Sequence, residues 1–109
     1  MSESNQIVIG GYSCRLPESG NAEAFWEHLQ HGDDMVTEDN RRWVAGKMET
    51  PPRFGKLNDL SQFDATFFGI HSKQAQKLDP QLRLLLMTSY EAIRSAGFDP
   101  HNLRGSRTG

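Results

Sequence analysis

The most regular pattern of apolar and polar residues lies between Asp79 and Gly97. Four apolar residues recur there at the spacing of one helix face, namely Leu82, Leu85, Leu86 and Ile93. Asp79 is a suitable N-cap, and Pro80 fits the first helical position because that position needs no amide hydrogen. Gly97 suits the left-handed turn that ends many helices. Since other leucines widen the apolar face, we predict a helix over 79–96 that is buried on more than one side.

Near the start of the chain, the run from Gln6 to Gly10 is apolar and rich in β-branched residues. Such a run predicts a short buried strand, preceded by a flexible polar end over residues 1–5. Gly10 and Gly11 then permit a tight turn. Their spacing differs from that of a dinucleotide-binding glycine loop, and Pro17 would interrupt a following helix. We therefore do not interpret them as a nucleotide site.

A second helix is predicted from Asn21 to about Gln30. Asn21 can cap its start and Gly32 can end it, and its apolar stripe comprises Phe25, Trp26 and Leu29.

The end of this helix raises the question of a metal site, because four potential ligands follow one another: His28, His31, Asp33 and Asp34. No second ligand cluster of suitable spacing accompanies them. We therefore interpret them as a solvated helix end, with histidines near the negative pole of the helix dipole.

Residues 33–58 are polar and predict irregular surface structure, with one helical turn near Glu38 to Trp43. Arg41 and Arg42 could pair with a phosphate. An ordinary surface pair beside a half-buried tryptophan is the interpretation we favour. Long loops of this kind are often functional or lie against a neighbour.

The next segment is rich in aromatic residues: Phe63, Phe67 and Phe68. Aromatic residues this close in sequence are typical of core or interface packing rather than of a cofactor pocket. After His71, a short polar helix or turn is predicted from Ser72 to Lys77. The tail from Asn102 to Gly109 is basic and glycine-rich.

Composition narrows the class of protein. A chain of 109 residues forms one domain at most. The net charge of −2 argues against a nucleic-acid binder, which would carry a basic excess. No apolar run is long enough to cross a membrane, and the polar start does not resemble a secretory signal. The single cysteine cannot form an internal disulfide, so we expect a cytoplasmic protein.

The helix over 79–96 carries the pattern DPQ-x-R-x-LL, which resembles the signature helix of β-ketoacyl synthase domains. These are the condensing domains of fatty acid synthases and modular polyketide synthases. Three more segments resemble the same domain in the right order: the opening strand and loop over 7–17, the first helix over 25–34, and the loop over 63–70. Gly55-Lys56-Leu57 and residues 15–19 resemble the animal fatty acid synthase branch more than bacterial modules, but the product class stays open.

The resemblance implies an α/β fold, the N-terminal fragment of a layered αβαβα, thiolase-like sandwich that is incomplete in this chain. Residues 6–109 would form this portion. The parent enzyme would be a dimeric β-ketoacyl-[acyl-carrier-protein] synthase that performs a decarboxylative Claisen condensation of acyl and malonyl thioesters. In that reaction a cysteine takes the acyl group from the phosphopantetheine thiol of an acyl carrier protein, and two histidines stabilise the enolate.

In the family, the catalytic cysteine lies in a Thr-Ala-Cys-Ser-Ser motif that would follow position 109, and both histidines lie further on. We therefore expect no catalytic, cofactor-binding or metal-binding residue in this chain, and no condensing activity from it alone. Cys14 lies where family members commonly carry a small residue, and it has no base nearby in sequence. His71 and His101 match no catalytic motif of the family.

The partners expected from the resemblance are the remainder of the synthase domain, an acyl carrier protein and a second synthase subunit. An alternative function is that of a non-enzymatic short product that binds a full-length synthase and perturbs its dimer. The apolar helix over 79–96 motivates this alternative. Because the strands that should flank Gln6–Gly10 are missing, we also expect the isolated chain to be partly ordered and prone to aggregation.

Overall fold

The structure, a computed structural model, describes residues 5–109. It contains three α-helices, two short strands and a 3-10 helix: α1 (Ala22–His31), β1 (Val36–Thr37), β2 (Phe54–Gly55), α2 (Ser72–Lys77), α3 (Pro80–Ser95) and the 3-10 helix Pro100–Leu103. The chain forms two compact units. Unit 1 comprises residues 5–13 and 63–109, and unit 2 comprises residues 14–62. The flexible end predicted for residues 1–5 lies outside the described residues, except for residue 5.

The predicted ends of α3 are confirmed. The side chain of Asp79 accepts a hydrogen bond from the backbone N–H of Gln81 at 2.7 Å, which satisfies one of the free amides of the first turn. Pro80 occupies the first turn. The helix ends at Ser95, and Gly97 then adopts a φ of 86°, the left-handed conformation that glycine accepts without a Cβ penalty.

The prediction that α3 is buried on more than one side is wrong for this structure. The side chain of Leu85 is 61% exposed, and no residue of α3 is fully buried. The helical pattern correctly gave the apolar face. The periodicity does not indicate which segment covers this apolar face. The described residues of unit 1 leave part of the face exposed to solvent.

The strand predicted over Gln6–Gly10 is also wrong for this structure. These residues adopt no strand, and the side chains of Ile7, Val8 and Ile9 are exposed. A strand is stabilised by hydrogen bonds to a neighbouring strand. None of the strands found in residues 5–109 pairs with this segment, so its β-branched residues have no ladder to join.

The first helix confirms its predicted caps. The side chain of Asn21 accepts from the backbone N–H of Ala24 at 2.8 Å, and Gly32 follows the helix with a φ of 69°. The helix runs to His31, one residue beyond the predicted end.

In unit 2, β1 and β2 pair antiparallel, with Val36 opposite Gly55. The sequence did not predict this pairing. The helical turn predicted near Glu38 to Trp43 is wrong, and residues 40–43 form bends instead. The side chain of Asp39 accepts from the backbone N–H of Arg41 at 3.1 Å, a local contact that competes with helical hydrogen bonding.

The aromatic segment packs as predicted. The rings of Phe63 and Phe68 stack with their centroids 5.2 Å apart. Phe67 meets the edge of Tyr90 on α3 at 4.9 Å. The loop over 63–70 is therefore fixed to α3 by ring contacts. The predicted polar helix follows as α2. Its Ala75 is the one buried hydrophobic residue among those that the structure describes.

Candidate functional site

The histidines do not converge on a site. His71 caps α2 by accepting from the backbone N–H of Lys73 at 3.3 Å, and His101 lies in the 3-10 helix. Within residues 5–109, no three His, Cys, Asp or Glu side chains converge in an arrangement that could hold a metal. His28 and His31 instead share the carboxylate of Asp33, at 2.7 and 4.0 Å.

Cys14 has no catalytic arrangement around it. Its thiol is free of any disulfide, and its side chain is partly exposed. The guanidinium of Arg15 donates to the backbone carbonyl of Cys14 at 3.1 Å. Within residues 5–109, no histidine forms a hydrogen bond with the thiol, so Cys14 has no nucleophile–base pair there.

The densest set of polar contacts surrounds Glu18 in unit 2. Its carboxylate lies 2.6 Å from Arg41, and its backbone N–H donates to the carbonyl of Lys56 at 3.1 Å. Its own carbonyl oxygen lies 3.1 Å from Nε2 of His28. Three separate segments therefore meet at one residue, which adopts a left-handed φ of 56°. We call Glu18 and these three partners the Glu18 cluster.

Arg41 extends the Glu18 cluster toward β1. It donates to both oxygens of Asp39 at 2.7 and 2.8 Å, and Asp39 also accepts from the hydroxyl of Thr37 at 2.7 Å. The hydrogen bonds from Arg41 and Thr37 hold the pKa of Asp39 far below its ordinary value. The two carboxylates, Asp39 first, raise the pKa of Arg41 further above its already high value.

Lys56 is only 2% exposed, which is unusual for a lysine. Its ammonium donates to the carbonyl of Thr37 at 2.5 Å and to the hydroxyl of Thr37 at 3.2 Å. It also lies 3.9 Å from the ring centroid of Phe54, a cation–π contact. Trp43 stacks on that ring at 5.0 Å. The lysine therefore joins β1 and β2 through neutral oxygens and an aromatic face.

The two arginines predicted as a surface pair are both engaged. Arg41 holds the carboxylates of Asp39 and Glu18, while Arg42 donates to the backbone carbonyls of Leu57 and Asn58. The preference for an ordinary surface pair over a phosphate site stays a prediction.

Unit 1 contains an apolar groove of about 550 Å³ between α2 and α3. Its lining residues are Ile70, Gln74, Lys77, Leu78, Leu82 and Leu86. Only Lys77 brings a charge to it. The groove can accept apolar groups but carries no nucleophile and no acid–base pair. No helix in the described part of the chain is long and apolar enough to cross a bilayer.

The order of these elements matches a known family. Residues 4–109 match the model of the β-ketoacyl synthase N-terminal domain. The chain belongs to the β-ketoacyl synthase family. The resemblance carried by the DPQ-x-R-x-LL helix is thereby confirmed, and this ketosynthase chain corresponds to part of a condensing domain.

Two curated relatives show the range of the ketosynthase family. The chain is 58% identical over 103 residues to a fatty acid synthase from Anser anser anser, covering 94% of this chain and 29% of that protein. It is 38% identical, over an alignment of 120 residues, to erythronolide synthase EryA2 from Saccharopolyspora erythraea, covering 98% of this chain and 3% of that protein. The chain thus spans less than a third of either relative.

Among solved structures, the ketosynthase from module 6 of the bacillaene synthase of Bacillus subtilis 168 matches with a TM-score of 0.76 and 32% identity. The match covers 87% of this chain and 17% of that chain. The α/β, thiolase-like fold implied by the sequence is confirmed, and this chain supplies an N-terminal fragment of it.

Sequence reasoning missed the Glu18 cluster and the burial of Lys56. Glu18 and Lys56 lie far apart in the chain, and neither has a periodic or motif context that marks it. The one available signal was Gly55-Lys56-Leu57, which pointed to the animal branch of the family without indicating a structural role.

Proposed function

We propose that this chain is the N-terminal structural part of the condensing domain of an animal-type fatty acid synthase. The observation that carries the proposal is the 58% identity to the goose fatty acid synthase over almost the whole chain. The identity to the polyketide synthase EryA2 is lower, at 38%. This difference favours the fatty acid product class over the polyketide class.

In this proposal the parent enzyme condenses acyl and malonyl thioesters carried on the phosphopantetheine arm of an acyl carrier protein, as a dimer in the cytoplasm. The chemistry needs a thiolate beside two imidazoles and oxyanion donors. Residues 5–109 form no such set, so the cysteine and histidines belong to a part of the domain outside this chain. The role of this chain is to pack against that part.

Two features of α3 support a packing role. Its leucines remain exposed beside the groove in unit 1. The buried Nε of Arg83 has no hydrogen-bond partner among the described residues. A buried polar atom without a partner is costly, so a complete domain is expected to satisfy it.

The test is a chimeric synthase, in which this chain replaces the 103 matching residues of the goose fatty acid synthase. We expect the chimeric synthase to form 3-ketoacyl product from acyl and malonyl thioesters. A matched control carries the corresponding segment of EryA2 and should support the reaction less well. A chimeric synthase that folds but condenses no better than this control would refute the assignment to the fatty acid branch.

The chain by itself should not condense. Incubation of the isolated chain with radiolabelled acyl thioester and malonyl carrier protein should give neither label on Cys14 nor a 3-ketoacyl product. Loss of a whole catalytic constellation removes many orders of magnitude of rate. Stoichiometric labelling of Cys14 with product formation would overturn this prediction.

A further inference from the structure

Both ring nitrogens of His28 face hydrogen-bond acceptors. Nδ1 lies 2.7 Å from the carboxylate of Asp33, and Nε2 lies 3.1 Å from the backbone carbonyl oxygen of Glu18. A neutral imidazole has one N–H and donates to only one of them, which leaves a nitrogen lone pair facing an oxygen lone pair. A protonated ring donates to both. The positions of these four atoms therefore match the imidazolium form.

The charges around the ring favour the same form. Asp33 follows α1, and the carboxylate of Glu18, although paired with Arg41, adds a second negative group from the opposing turn. His31 lies 4.0 Å from the same Asp33 oxygen and competes for it. The hydrogen bond to Asp33 is the main cause that raises the pKa of His28 above its ordinary value, against a smaller opposing effect of desolvation. The last turn of α1 also presents its negative dipole end to the ring.

The contact with Glu18 matters because that residue has an unfavourable backbone conformation. A left-handed φ of 56° is unfavourable for a non-glycine residue, because it brings the Cβ close to the following carbonyl oxygen. The turn over residues 16–19 is closed by mutual backbone hydrogen bonds between Leu16 and Ser19, at 3.0 and 2.9 Å. His28 is the side chain that joins this turn to α1.

We propose that His28 is a pH-sensitive clamp that holds the Glu18 turn against α1 when the ring is protonated and releases the Glu18 carbonyl when the proton leaves. The neutral ring keeps the bond to Asp33, because a charged acceptor holds a donor more strongly than a neutral carbonyl. The clamp is independent of the proposed condensing role, since none of its groups takes part in that chemistry.

The direction of the pH dependence follows from the raised pKa. The clamp contributes fully below the unfolded value of about 6.5 and is lost as pH rises through the folded value. The turn is therefore closed below the ordinary pKa of histidine and loosens as pH rises through the higher folded pKa of His28.

The test uses the chimeric synthase described above, in which the remainder of the domain accompanies this chain. NMR follows the His28 ring nitrogens from about pH 5 to about pH 8, while hydrogen exchange reports protection of the Glu18 and Ser19 amides, corrected for intrinsic exchange. We expect protection of both amides to fall several-fold with the same midpoint as the His28 ring. His28→Gln should abolish the pH dependence of amide protection, and the matched control His31→Gln should retain it.

A second variant separates the clamp from simple misfolding. Asp33→Asn keeps the shape of the side chain but removes its charge, so it should lower the pH at which the His28 ring titrates. The pH at which amide protection falls should decrease by the same amount. The proposal is overturned if amide protection has the same pH profile in the wild type and in His28→Gln. It is also overturned if His28 titrates in native buffer as it does in concentrated urea.

Discussion

At Gly11 the backbone passes so close to α3 that a side chain has no room. A Cβ at this position would lie 2.5 Å from the carbonyl oxygen of Ala92 and 2.5 Å from the backbone nitrogen of Ala96. These are backbone atoms of a helix, so they cannot move aside at low cost. Gly11 is thus explained by close packing rather than by the tight turn that the sequence suggested, because residues 10 and 11 form no turn.

We expect Gly11→Ala to destabilise unit 1 by about 1–3 kcal/mol, the usual cost of overpacking. The measurement is the temperature at which the chimeric synthase loses condensing activity. Gly20→Ala is the matched control, because no atom lies within 4 Å of a Cβ there. Equal inactivation temperatures for the two variants would contradict the packing argument.

Asp39 gives a prediction about charge. Its pKa is lowered chiefly by the hydrogen bond from Arg41. The ionised form of Asp39 therefore stabilises unit 2 fully above the unfolded pKa of about 3.9, and that contribution is lost as pH falls from there through the lower folded pKa. Arg41→Gln should raise the midpoint seen in the carboxyl carbon shift of Asp39 by NMR. Arg53→Gln, which removes a partner of Asp34 instead, is the control and should leave that midpoint in place. An unchanged Asp39 midpoint in Arg41→Gln would show that Arg41 does not lower the pKa of Asp39.

At the scale of elements, the loop over 63–70 is fixed to α3 by aromatic rings rather than by backbone hydrogen bonds to the helix. Tyr90 meets Phe67 at 4.9 Å and Phe68 at 6.4 Å, both edge to face. Edge-to-face pairs add to the stabilisation from buried apolar area. Tyr90 is therefore the α3 side chain on which the loop depends.

Tyr90→Ala should destabilise unit 1 by about 1–3 kcal/mol, because it removes two ring contacts and leaves a gap. The inactivation temperature of the chimeric synthase again reports the effect. Tyr12→Ala deletes the same side chain at a site in unit 1 that is 66% exposed, and it should have little effect. Similar losses in both variants would mean that the ring cluster does not hold the loop.

At the scale of the whole molecule, the described residues contain very little core. Ala75, at 7% exposure, is the only buried hydrophobic residue among them, while Ile7, Val8 and Ile9 face solvent. Folding must offset the conformational entropy of the chain with buried apolar area. Here that area is small for 109 residues.

We therefore predict that the isolated chain is partly ordered and aggregates as its concentration rises. Amide resonances should be poorly dispersed in unit 1, and thermal unfolding should be broad. Addition of the remaining part of the goose condensing domain should sharpen both signals. A monomer with well-dispersed resonances and a steep cooperative melt would disprove this expectation.

The sequence by itself determined the features that depend on neighbours along the chain. The caps of α1 and α3, formed by Asn21 and Asp79, were predictable because a cap is a contact between residues two or three positions apart. The packing of Phe67 near Phe68 and the membership of the ketosynthase family were predictable for a similar reason, since both depend on local composition and motif order.

Only the tertiary structure decided the features that depend on partners distant in sequence. The Gln6–Gly10 segment has the composition of a strand, but a strand exists only where another one supplies its hydrogen bonds. Glu18 looks like an ordinary surface residue until His28, Arg41 and Lys56 are brought to it. Lys56 can be buried because its ammonium donates to the carbonyl of Thr37 and lies over the ring of Phe54. Propensity and periodicity describe what a segment can form, whereas burial and pairing are set by what the rest of the fold places beside it.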